Sequence, residues 1–311
     1  MSTVSAEGEP FVHPALFYRD RSEYVAATTS FVRDGLAAGE PVAVAVPADR
    51  LALLREELGE AGGAVHFVDM EEAGRNPGRI IPRVLRAFAD AHPQEHVRII
   101  GEPVWSGRSA AEYPACAQHE ALINHAFAGR RVTIVCPYDV SELDARALAD
   151  AYATHPVVIR DGRSVPSPLF APDKVVALYN RPLVPPDRPP DRFGFDGETL
   201  PQARHFVTGR ARALGLAGAR LEDLALAVAE LTTNSVVHGG GSGTVEVWGE
   251  DGYVVWEVTD RGFVGDPLAG RRPPPVDRPG GRGLLLVHCL SDLVRTHTHP
   301  GGTTTRCYVR R

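Results

Sequence analysis

Residues 221–238 form the segment that most constrains the fold of this chain. Their apolar side chains recur at the three- and four-residue spacing of an α-helix, at Leu221, Leu224, Ala225, Val228 and Leu231. Leu226 and Ala227 extend this apolar surface almost all the way round the helix. A helix of this kind belongs in the interior of a domain, so we expect residues 221–238 to be buried.

Two polar side chains interrupt the apolar surface of this helix. Glu230 and Asn234 are four residues apart, so both project from one face. A carboxylate in such a place is costly unless something pairs with it. Together with a neutral amide oxygen it suits a hard cation such as Mg²⁺, which takes its other ligands from water and phosphate. A hydrogen-bonded polar pair near a helix end explains the same two residues equally well.

An acidic residue ends the next predicted strand. Residues 253–259 have a strand pattern, and Asp251-Gly252 before them is a hairpin signal. The strand stops at Asp260-Arg-Gly262, which places Asp260 at its end. Residues 263–279 then form a loop rich in Pro, Arg and Gly.

Glycines mark the start of the last predicted helix. Gly280-Gly-Arg-Gly283 opens directly into the apolar run 284–290. Glycines at a helix N-terminus let the backbone approach a phosphate, whose charge is met by free N–H groups and by the helix dipole. A final strand, residues 303–309, begins with three threonines. The glycines alone are weak evidence for a phosphate site, so the order of all these parts matters.

That order resembles a known ATP-binding fold. The motifs Glu230-x-x-x-Asn234, Asp260-x-Gly262 and Gly281-x-Gly283, followed by a Gly-Thr-Thr strand, are similar to those of gyrase, Hsp90, histidine kinases and MutL, the GHKL group. Residues 230–239, ELTTNSVVHG, resemble the asparagine box of the RsbW-like anti-sigma-factor serine/threonine kinases. The resemblance covers about residues 195–311 and implies an α+β sandwich of the Bergerat type that binds ATP and Mg²⁺.

The resemblance also implies a role for each motif residue. Glu230 would orient or deprotonate the nucleophile, and Asn234 would bind Mg²⁺. Asp260 would accept a hydrogen bond from the adenine amino group. The other positions would line the nucleotide: Gly262 beside the base, Thr304 near the base through a water, and Gly281, Arg282 and Gly283 at the phosphates. For Arg282, a simply solvated side chain is the alternative.

The first half of the chain alternates between strand and helix patterns. The strand patterns are residues 42–46, 64–68, 97–100 and 132–135. The helical patterns lie near residues 21–38, 49–59, 78–91, 110–128 and 141–152. This alternation predicts a mostly parallel, doubly wound α/β sheet, which binds ligands outside the carboxyl ends of its strands. No GxxxxGK[ST] motif is present, so an ordinary phosphate-loop ATPase is excluded.

Four segments of this half resemble the MEDS (DcmR-type) sensory domain over about residues 10–160. They are His13-Pro-Ala-Leu-Phe-Tyr18, FVRDGLAAGEP at 31–41, IIGEPVW at 99–105 and CPYD at 136–139. The resemblance implies a RecA-like fold without its phosphate loop and the sensing of a small molecule. We select four residues as candidate ligand contacts, because polar and aromatic groups at strand ends can converge on a pocket: His13, Tyr18, Glu102 and Trp105. Each of them also has a purely structural explanation, as a capping histidine, a core aromatic residue or a satisfied polar group.

A proline-rich segment separates the two halves. Residues 180–191, NRPLVPPDRPPD, cannot form a helix and predict a stiff, extended linker. We therefore divide the chain into a sensory domain at 10–179, a linker at 180–194 and an ATP-binding domain at 195–311. A histidine kinase would carry a helical hairpin with a phosphoacceptor histidine at this place. His205 lies in the first helix of the ATP-binding domain, so autophosphorylation on histidine is the less favoured chemistry.

Composition narrows the classes of protein to consider. The net charge of −6 argues against nucleic acid as a main partner. The four cysteines show neither a CxxC pair nor a metal-ligand spacing, so we expect buried free thiols: Cys116, Cys136, Cys289 and Cys307. No signal segment is present, and no apolar run approaches the roughly 20 residues that span a bilayer. These features predict a soluble cytoplasmic protein with no membrane partner.

Together these patterns predict a two-domain signalling switch. A sensory α/β domain would control an ATP-dependent serine/threonine kinase and anti-sigma module. The resemblance implies a STAS anti-anti-sigma protein as substrate, a sigma factor as competing partner and a possible homodimer. The loop 263–279 would be a lid over the nucleotide, or else a disordered surface loop. Two alternatives remain open, namely an ATP-binding module that sequesters its partner without phosphorylating it, and a sensor histidine kinase without its own phosphoacceptor domain.

Overall fold

The computed structural model describes residues 11–273 and 281–311. These residues form two compact units that divide between Tyr179 and Asn180. No helix in the described ranges has both the length and the apolar character that crossing a bilayer demands.

The first unit is built on an eight-stranded sheet. Its strands are β1 Phe11–Val12, β2 Pro14–Tyr18, β3 Val42–Val46, β4 Val65–Asp69, β5 Val97–Gly101, β6 Val132–Asp139, β7 Val157–Arg160 and β8 Arg163–Pro166. Its helices are α1 Arg21–Ala37, α2 Ala48–Leu58, α3 Met70–Ala73, α4 Arg86–Asp90, α5 Tyr113–Ala126, α6 Ala145–Thr154 and α7 Pro172–Tyr179. The strand order is β4-β3-β5-β6-β2-β7-β8, with β1 beside β6. All pairs are parallel except β7 with β8, which confirms the mostly parallel α/β sheet.

The sequence predicts some elements of this unit better than others. All five residues of β3, VAVAV, are buried between β4 and β5, as expected for a strand covered on both faces. Strand β2, PALFY, is also fully buried but was not predicted, because a short apolar run that begins with proline carries no strand periodicity. The helix expected at 78–91 is instead a 3₁₀ turn, a π-helical turn at Ile81–Leu85 and the short α4. Pro82 lies inside it and lacks the N–H donor that a regular α-helix uses there.

The second unit is a five-stranded antiparallel sheet with helices on one face. Its strands are β9 Asp191–Asp196, β10 Ser242–Glu250, β11 Tyr253–Asp260, β12 Leu293–His299 and β13 Gly302–Arg310. Its helices are α8 Leu200–Ala213, α9 Gly218–His238 and α10 Gly283–Leu290. The order β12-β13-β11-β10-β9 buries alternate residues of β11, such as Trp256, in one core with Val228 of α9. This arrangement confirms the α+β sandwich.

The long helix α9 is less buried than its apolar sequence indicates. Leu226 is 45% exposed and Val237 is 64% exposed, whereas Leu224 and Val228 are fully buried. The helix lies on one face of the sheet, so only one of its sides reaches the core. Expecting burial of the whole helix was therefore wrong, and Leu226 and Val237 leave an exposed apolar surface.

The proline-rich segment before β9 is attached to the second unit. The side-chain amide of Asn180 donates to the Thr298 carbonyl oxygen at 2.8 Å, and its Oδ1 accepts from the Thr298 N–H at 2.9 Å. Arg306 Nη1 donates to the Val184 carbonyl oxygen at 2.8 Å. Residues 191–194, which the sequence analysis gave to the linker, belong to the edge strand β9. The segment thus has no regular secondary structure between α7 and β9, and it is held against the sheet by specific hydrogen bonds.

Arg306 is the centre of this attachment, and its removal should lower stability. Its Nε donates to Glu257 Oε2 at 2.7 Å, and its guanidinium lies 5.0 Å from the Trp248 ring centroid. We expect Arg306→Ala to lower the free energy of unfolding by about 3 kcal/mol, because Glu257 is left half-buried without its partner. Proteolysis within residues 180–190 should also become faster, as measured by limited digestion and mass spectrometry.

The neighbouring pair of Arg192 with Glu246 provides the control. Its atoms are 3.6 Å apart, and the Arg192 side chain is 67% exposed. Arg192→Ala should change the free energy of unfolding by less than about 0.5 kcal/mol, because an exposed ion pair is screened by water. Equal losses in the two variants would contradict the role given to Arg306.

Candidate functional site

The structure brings the polar pair of α9 against the start of α10. A Cβ atom added to Gly283 would lie 2.7 Å from Glu230 Oε2 and 3.2 Å from Asn234 Nδ2. A side chain at 283 would push these two side chains aside, so glycine lets the first turn of α10 lie directly against Glu230 and Asn234. Three residues selected from two separate sequence motifs, Glu230, Asn234 and Gly283, are therefore direct neighbours.

The first turn of α10 is open to an anion. Its N-cap residue, Arg282, is exposed and forms no side-chain cap hydrogen bond. Its side chain therefore supplies no acceptor to the first N–H groups of the helix. Gly281 before it has φ of +77°, a conformation that favours glycine. This constellation offers backbone donors and a helix dipole beside Glu230 and Asn234, which is the chemistry of a phosphate site.

A second part of the site is the carboxylate of Asp260 at the end of β11. Ser235 Oγ donates to Asp260 Oδ2 at 2.6 Å, and the Gly262 N–H donates to Oδ1 at 2.8 Å. A Cβ on Gly239 would lie only 2.5 Å from Asp260 Cγ, and one on Gly262 would lie 2.9 Å from the Gly239 Cα. The carboxylate is thus fixed in orientation, and each oxygen keeps a lone pair for a further donor such as an amino group.

The threonine next to Asp260 is Thr303, not the predicted Thr304. In the antiparallel pairing of β11 with β13, Asp260 is opposite Thr303, and Thr259 is opposite Thr304. Neighbouring residues of a strand point to opposite faces, so Thr304 lies on the other face of the sheet. Its hydroxyl lies 3.2 Å from that of Thr259. Thr303 is 7% exposed and donates to the Gly262 carbonyl oxygen at 2.8 Å, so it belongs to the Asp260 constellation.

Sequence reasoning missed three residues of this constellation: Ser235, Gly239 and Thr303. Ser235 and Gly239 are part of the asparagine-box segment, but only the fold shows that they hold Asp260. The threonine run 303–305 offers three equivalent positions, and the strand register decides between them.

The loop after β11 packs against α10 in its described part. A Cβ on Gly270 would lie 2.6 Å from the Leu284 Cβ, and Leu268 is 5% exposed. Residues 274–279 of the predicted lid lie outside the described residues, as does Gly280. The lid hypothesis therefore stays a prediction.

The first unit contains a pocket at the carboxyl ends of its strands. Its volume is about 280 Å³. Its lining includes the residues that end or follow four strands: Tyr18, Pro47, Glu102 and Asp139. Trp105 also lines it, as do Asp49, Arg50, Glu71 and Glu142. Three of the four candidate sensory residues, Tyr18, Glu102 and Trp105, therefore face one cavity in the position that parallel sheets use for ligands.

Glu102 gives this pocket its distinctive electrostatics. Its side chain is buried, and Tyr24 Oη donates to its Oε2 at 3.2 Å. Burial raises the pKa of Glu102 from 4.5 to about 8, although the nearby Arg50 acts in the opposite direction. Arg50 itself lies over the Tyr24 ring at 5.0 Å and approaches Asp139 Oδ2 at 3.5 Å. The pocket thus offers a neutral carboxyl group as hydrogen-bond donor at pH 7, beside one guanidinium.

His13 does not reach this pocket. It is fully buried, and its contacts are Asn124, Glu120 and Cys136. It precedes β2, whereas Tyr18 ends the strand, and five residues of extended chain span about 16 Å. The sequence analysis grouped the two residues by motif, but they lie at opposite ends of one strand.

Two family comparisons match the two units. Residues 12–156 match MEDS, the methanogen/methylotroph, DcmR sensory domain. Residues 193–309 match the histidine kinase-like ATPase domain. No curated protein matches the chain. Among solved structures, the RsbU and RsbW domains of Rv1364c from Mycobacterium tuberculosis are similar to part of it, with 20% sequence identity and a TM-score of 0.30 over 40% of this chain and 32% of that chain.

The close approach at Gly283 predicts that a methyl group there disrupts ligand binding. We expect Gly283→Ala to weaken ATP binding by about tenfold or more, because the new Cβ must displace Glu230 and Asn234. Gly209→Ala is the matched control, since Gly209 is also helical and no atom lies within 4 Å of its Cβ position. Calorimetric titration of both variants measures the effect. Equal affinities for ATP would contradict the packing described here.

The buried carboxyl group of Glu102 predicts a pH-dependent stability. The folded protein keeps this proton up to about pH 8, whereas the unfolded chain releases it near pH 4.5. The stabilisation is therefore fully present below pH 4.5 and is lost as pH rises to about 8. As the pH rises from 5 to 8, the urea concentration at the unfolding midpoint should decrease more for the wild type than for Glu102→Gln. Glu142→Gln, at an exposed position of the same pocket, should keep the wild-type slope; identical slopes in all three proteins would contradict the assignment.

Proposed function

Since the chain joins a MEDS domain to a histidine kinase-like ATPase domain, we propose that it is an ATP-dependent serine/threonine kinase of the anti-sigma-factor type. Its substrate is a serine or threonine of a STAS anti-anti-sigma protein, and a sigma factor competes for the same module. A small molecule bound to the first unit controls the kinase. The proposal includes ATP and Mg²⁺ as cofactors.

The observation that carries the proposal is the contact of Glu230 and Asn234 with Gly283. A carboxylate, an amide oxygen and the open N-terminus of α10 meet at one point. These groups fit a nucleoside triphosphate with Mg²⁺, because the amide oxygen is a ligand for a hard cation and the backbone N–H groups bind phosphate oxygens. The fixed carboxylate of Asp260 supplies an acceptor for the adenine amino group.

Each residue then has a defined part in phosphoryl transfer. The N–H groups of α10 would hold the phosphates, and the Asn234 oxygen would bind Mg²⁺. The ion would supply positive charge that stabilises the phosphoryl group during its transfer. Glu230 accepts a hydrogen bond from the incoming hydroxyl group and orients it, because its carboxylate lies beside the first turn of α10.

The acceptor hydroxyl group comes from another protein. The described segment between α7 and β9 contains no helix, and its residues are hydrogen-bonded to the sheet at Asn180 and Val184. It therefore offers no helical hairpin with a phosphoacceptor histidine. This supports transfer to a partner over autophosphorylation. The predicted homodimer and cytoplasmic location stay predictions.

The pocket of the first unit supports the sensory role. Its size of about 280 Å³ suits a small molecule. Glu102 and Arg50 offer one neutral donor and one cation, and Tyr18 and Trp105 add aromatic surface. A ligand with both an apolar part and a hydrogen-bond acceptor matches this lining.

A second candidate is an ATP-binding module that sequesters its partner without phosphorylating it. The exposed apolar side chains of the second unit favour a docking role of this kind, since Leu226, Val237 and Phe263 are 45%, 64% and 59% exposed. Both candidates use the same nucleotide site. They differ only in whether phosphate reaches the partner.

The role of Glu230 separates these functions. We expect Glu230→Ala to lower phosphate transfer to the STAS partner by about 100-fold or more, while ATP affinity stays within about threefold. The measurement is incubation of the full chain with labelled ATP, Mg²⁺ and candidate STAS proteins. Glu222→Ala, at an exposed position of the same helix, is the matched control and should transfer at the wild-type rate. Equal transfer by Glu230→Ala and the wild type would contradict the assigned role; nucleotide binding with no transfer by the wild type would favour the sequestering module.

A further inference from the structure

A second cluster of reactive side chains lies in the first unit, away from its pocket. It consists of His13 before β2, Glu120 of α5, Cys136 of β6 and His155 after α6. One donor atom from each residue lies within 4.8 Å of all the others. All four residues are buried, with at most 1% of their surface exposed. Neither the nucleotide site nor the sensory pocket uses them.

The hydrogen bonds around His13 fix its protonation. The Asn124 side-chain nitrogen donates to three carbonyl oxygens, those of Glu120, Ala121 and Thr154. Its Oδ1 is therefore an acceptor, and it lies 3.2 Å from His13 Nδ1. His13 Nδ1 must carry the proton and donate it to Asn124. In the neutral ring, the lone pair is then on Nε2, which faces Glu120 and Cys136.

The same reasoning applies to His155. Its Nδ1 lies 2.9 Å from the Ala151 carbonyl oxygen, which can only accept. His155 Nδ1 therefore donates its proton to this carbonyl oxygen. In the neutral ring, the lone pair is on Nε2, which lies 3.0 Å from Glu120 Oε2. Such outer hydrogen bonds are typical of histidines that bind a metal, because they fix the tautomer and the ring orientation.

This arrangement concentrates electron pairs at one buried point. Two imidazole nitrogens and a carboxylate oxygen face one another there, with Glu120 Oε2 3.0 Å from His155 Nε2 and 3.6 Å from His13 Nε2. A cation at the centre of the cluster would accept these electron pairs and balance the negative charge. A divalent ion with one carboxylate and one thiolate makes the cluster neutral, so that burial carries no net charge.

Two of three distances within the cluster match tetrahedral coordination, and the third is shorter by a few tenths of an ångström. His13 Nε2 lies 3.6 Å from Glu120 Oε2 and 3.4 Å from Cys136 Sγ, and His155 Nε2 lies 3.0 Å from Glu120 Oε2. Around Zn²⁺, with its usual bond lengths, neighbouring ligand atoms are separated by about 3.3–3.7 Å. Two nitrogens, one sulfur and one oxygen form a set that zinc and cobalt bind well.

We propose that His13, Glu120, Cys136 and His155 form a buried binding site for a divalent transition-metal ion, with Zn²⁺ as its best match. All four positions of the tetrahedron are filled by the protein, so the site is of the closed, structural kind. It joins the beginnings of β2 and β7 to α5 and β6. The ion would thus connect β2 and β6, whose last residues, Tyr18 and Asp139, line the pocket of this unit.

The test uses Co²⁺ as a spectroscopic probe on the tag-free full chain, after removal of metal with a chelator. We expect one Co²⁺ per chain, tetrahedral absorption bands and a near-ultraviolet charge-transfer band from the Cys136 thiolate. Added Zn²⁺ should displace the Co²⁺ and abolish these bands. Mg²⁺ at Glu230 and Asn234 gives no such signal, since no cysteine belongs to that pair.

Two cysteine variants assign the signal. Cys136→Ser should lose the charge-transfer band and weaken Co²⁺ binding by about tenfold or more. Cys116→Ser is the matched control, because Cys116 is an equally buried cysteine of the same unit that forms no disulfide and lies outside the cluster. It should keep the wild-type spectrum. A band that persists in Cys136→Ser, or is lost in Cys116→Ser, would overturn the assignment.

X-ray absorption of the Zn²⁺-loaded wild type needs no variant and covers the case in which Cys136→Ser does not fold. One sulfur and three nitrogen or oxygen ligands are expected. A spectrum without sulfur, or wild-type protein that binds no Co²⁺, would show that the cluster is an ion-free hydrogen-bonded network.

Discussion

The close approach of α10 to α9 at Gly283 is the contact on which the candidate nucleotide site depends. A side chain at this position would displace the ends of Glu230 and Asn234, since its Cβ would lie 2.7 Å from Glu230 Oε2 and 3.2 Å from Asn234 Nδ2. Glycine lets α10, whose N-cap side chain forms no hydrogen bond, begin directly beside the carboxylate and the amide of α9. Glycine therefore acts here through the volume that it leaves empty. Two further glycines, Gly239 and Gly262, act in the same way around Asp260.

The sequence was informative wherever the function depends on local spacing. Glu230 and Asn234 are one helical turn apart, and this spacing alone predicts a shared face. The alternation of strands and helices likewise predicted the parallel sheet of the first unit. Two segments gave a weaker signal: β2 has no periodicity, and Pro82 divides what looked like one helix.

The errors have a common physical origin, since they concern which side or end of an element a residue occupies. Thr303 and Thr304 are chemically identical, and a shift of one residue reverses the face of the sheet. His13 and Tyr18 belong to one motif, but the length of β2 separates them. The spacing of the cysteines gave no metal-ligand pattern, because the residues around Cys136 come from distant parts of the sequence, namely His13, Glu120 and His155. Only tertiary structure brings such residues together.

Within the first unit, the sensory pocket and the proposed metal site share two strands. Tyr18 and Asp139 end β2 and β6 at the pocket, while His13 precedes β2 and Cys136 lies in β6 three residues before Asp139. An ion bound to His13 and Cys136 would therefore limit the conformations that these two strands can adopt at the pocket. In this account, the metal would set the shape of the pocket, and the sensed molecule would bind to a preformed site.

Titration calorimetry of the full chain with ATP and with GTP, each with and without Mg²⁺, tests the central claim most directly. The account predicts saturable ATP binding that strengthens with Mg²⁺, because Asn234 and the α10 N-terminus hold the cation and the phosphates together. It also predicts much weaker GTP binding, because the Asp260 carboxylate requires an amino donor that guanine lacks at that position. Absence of ATP binding, or equal binding of ATP and GTP, would contradict the nucleotide site described for the second unit.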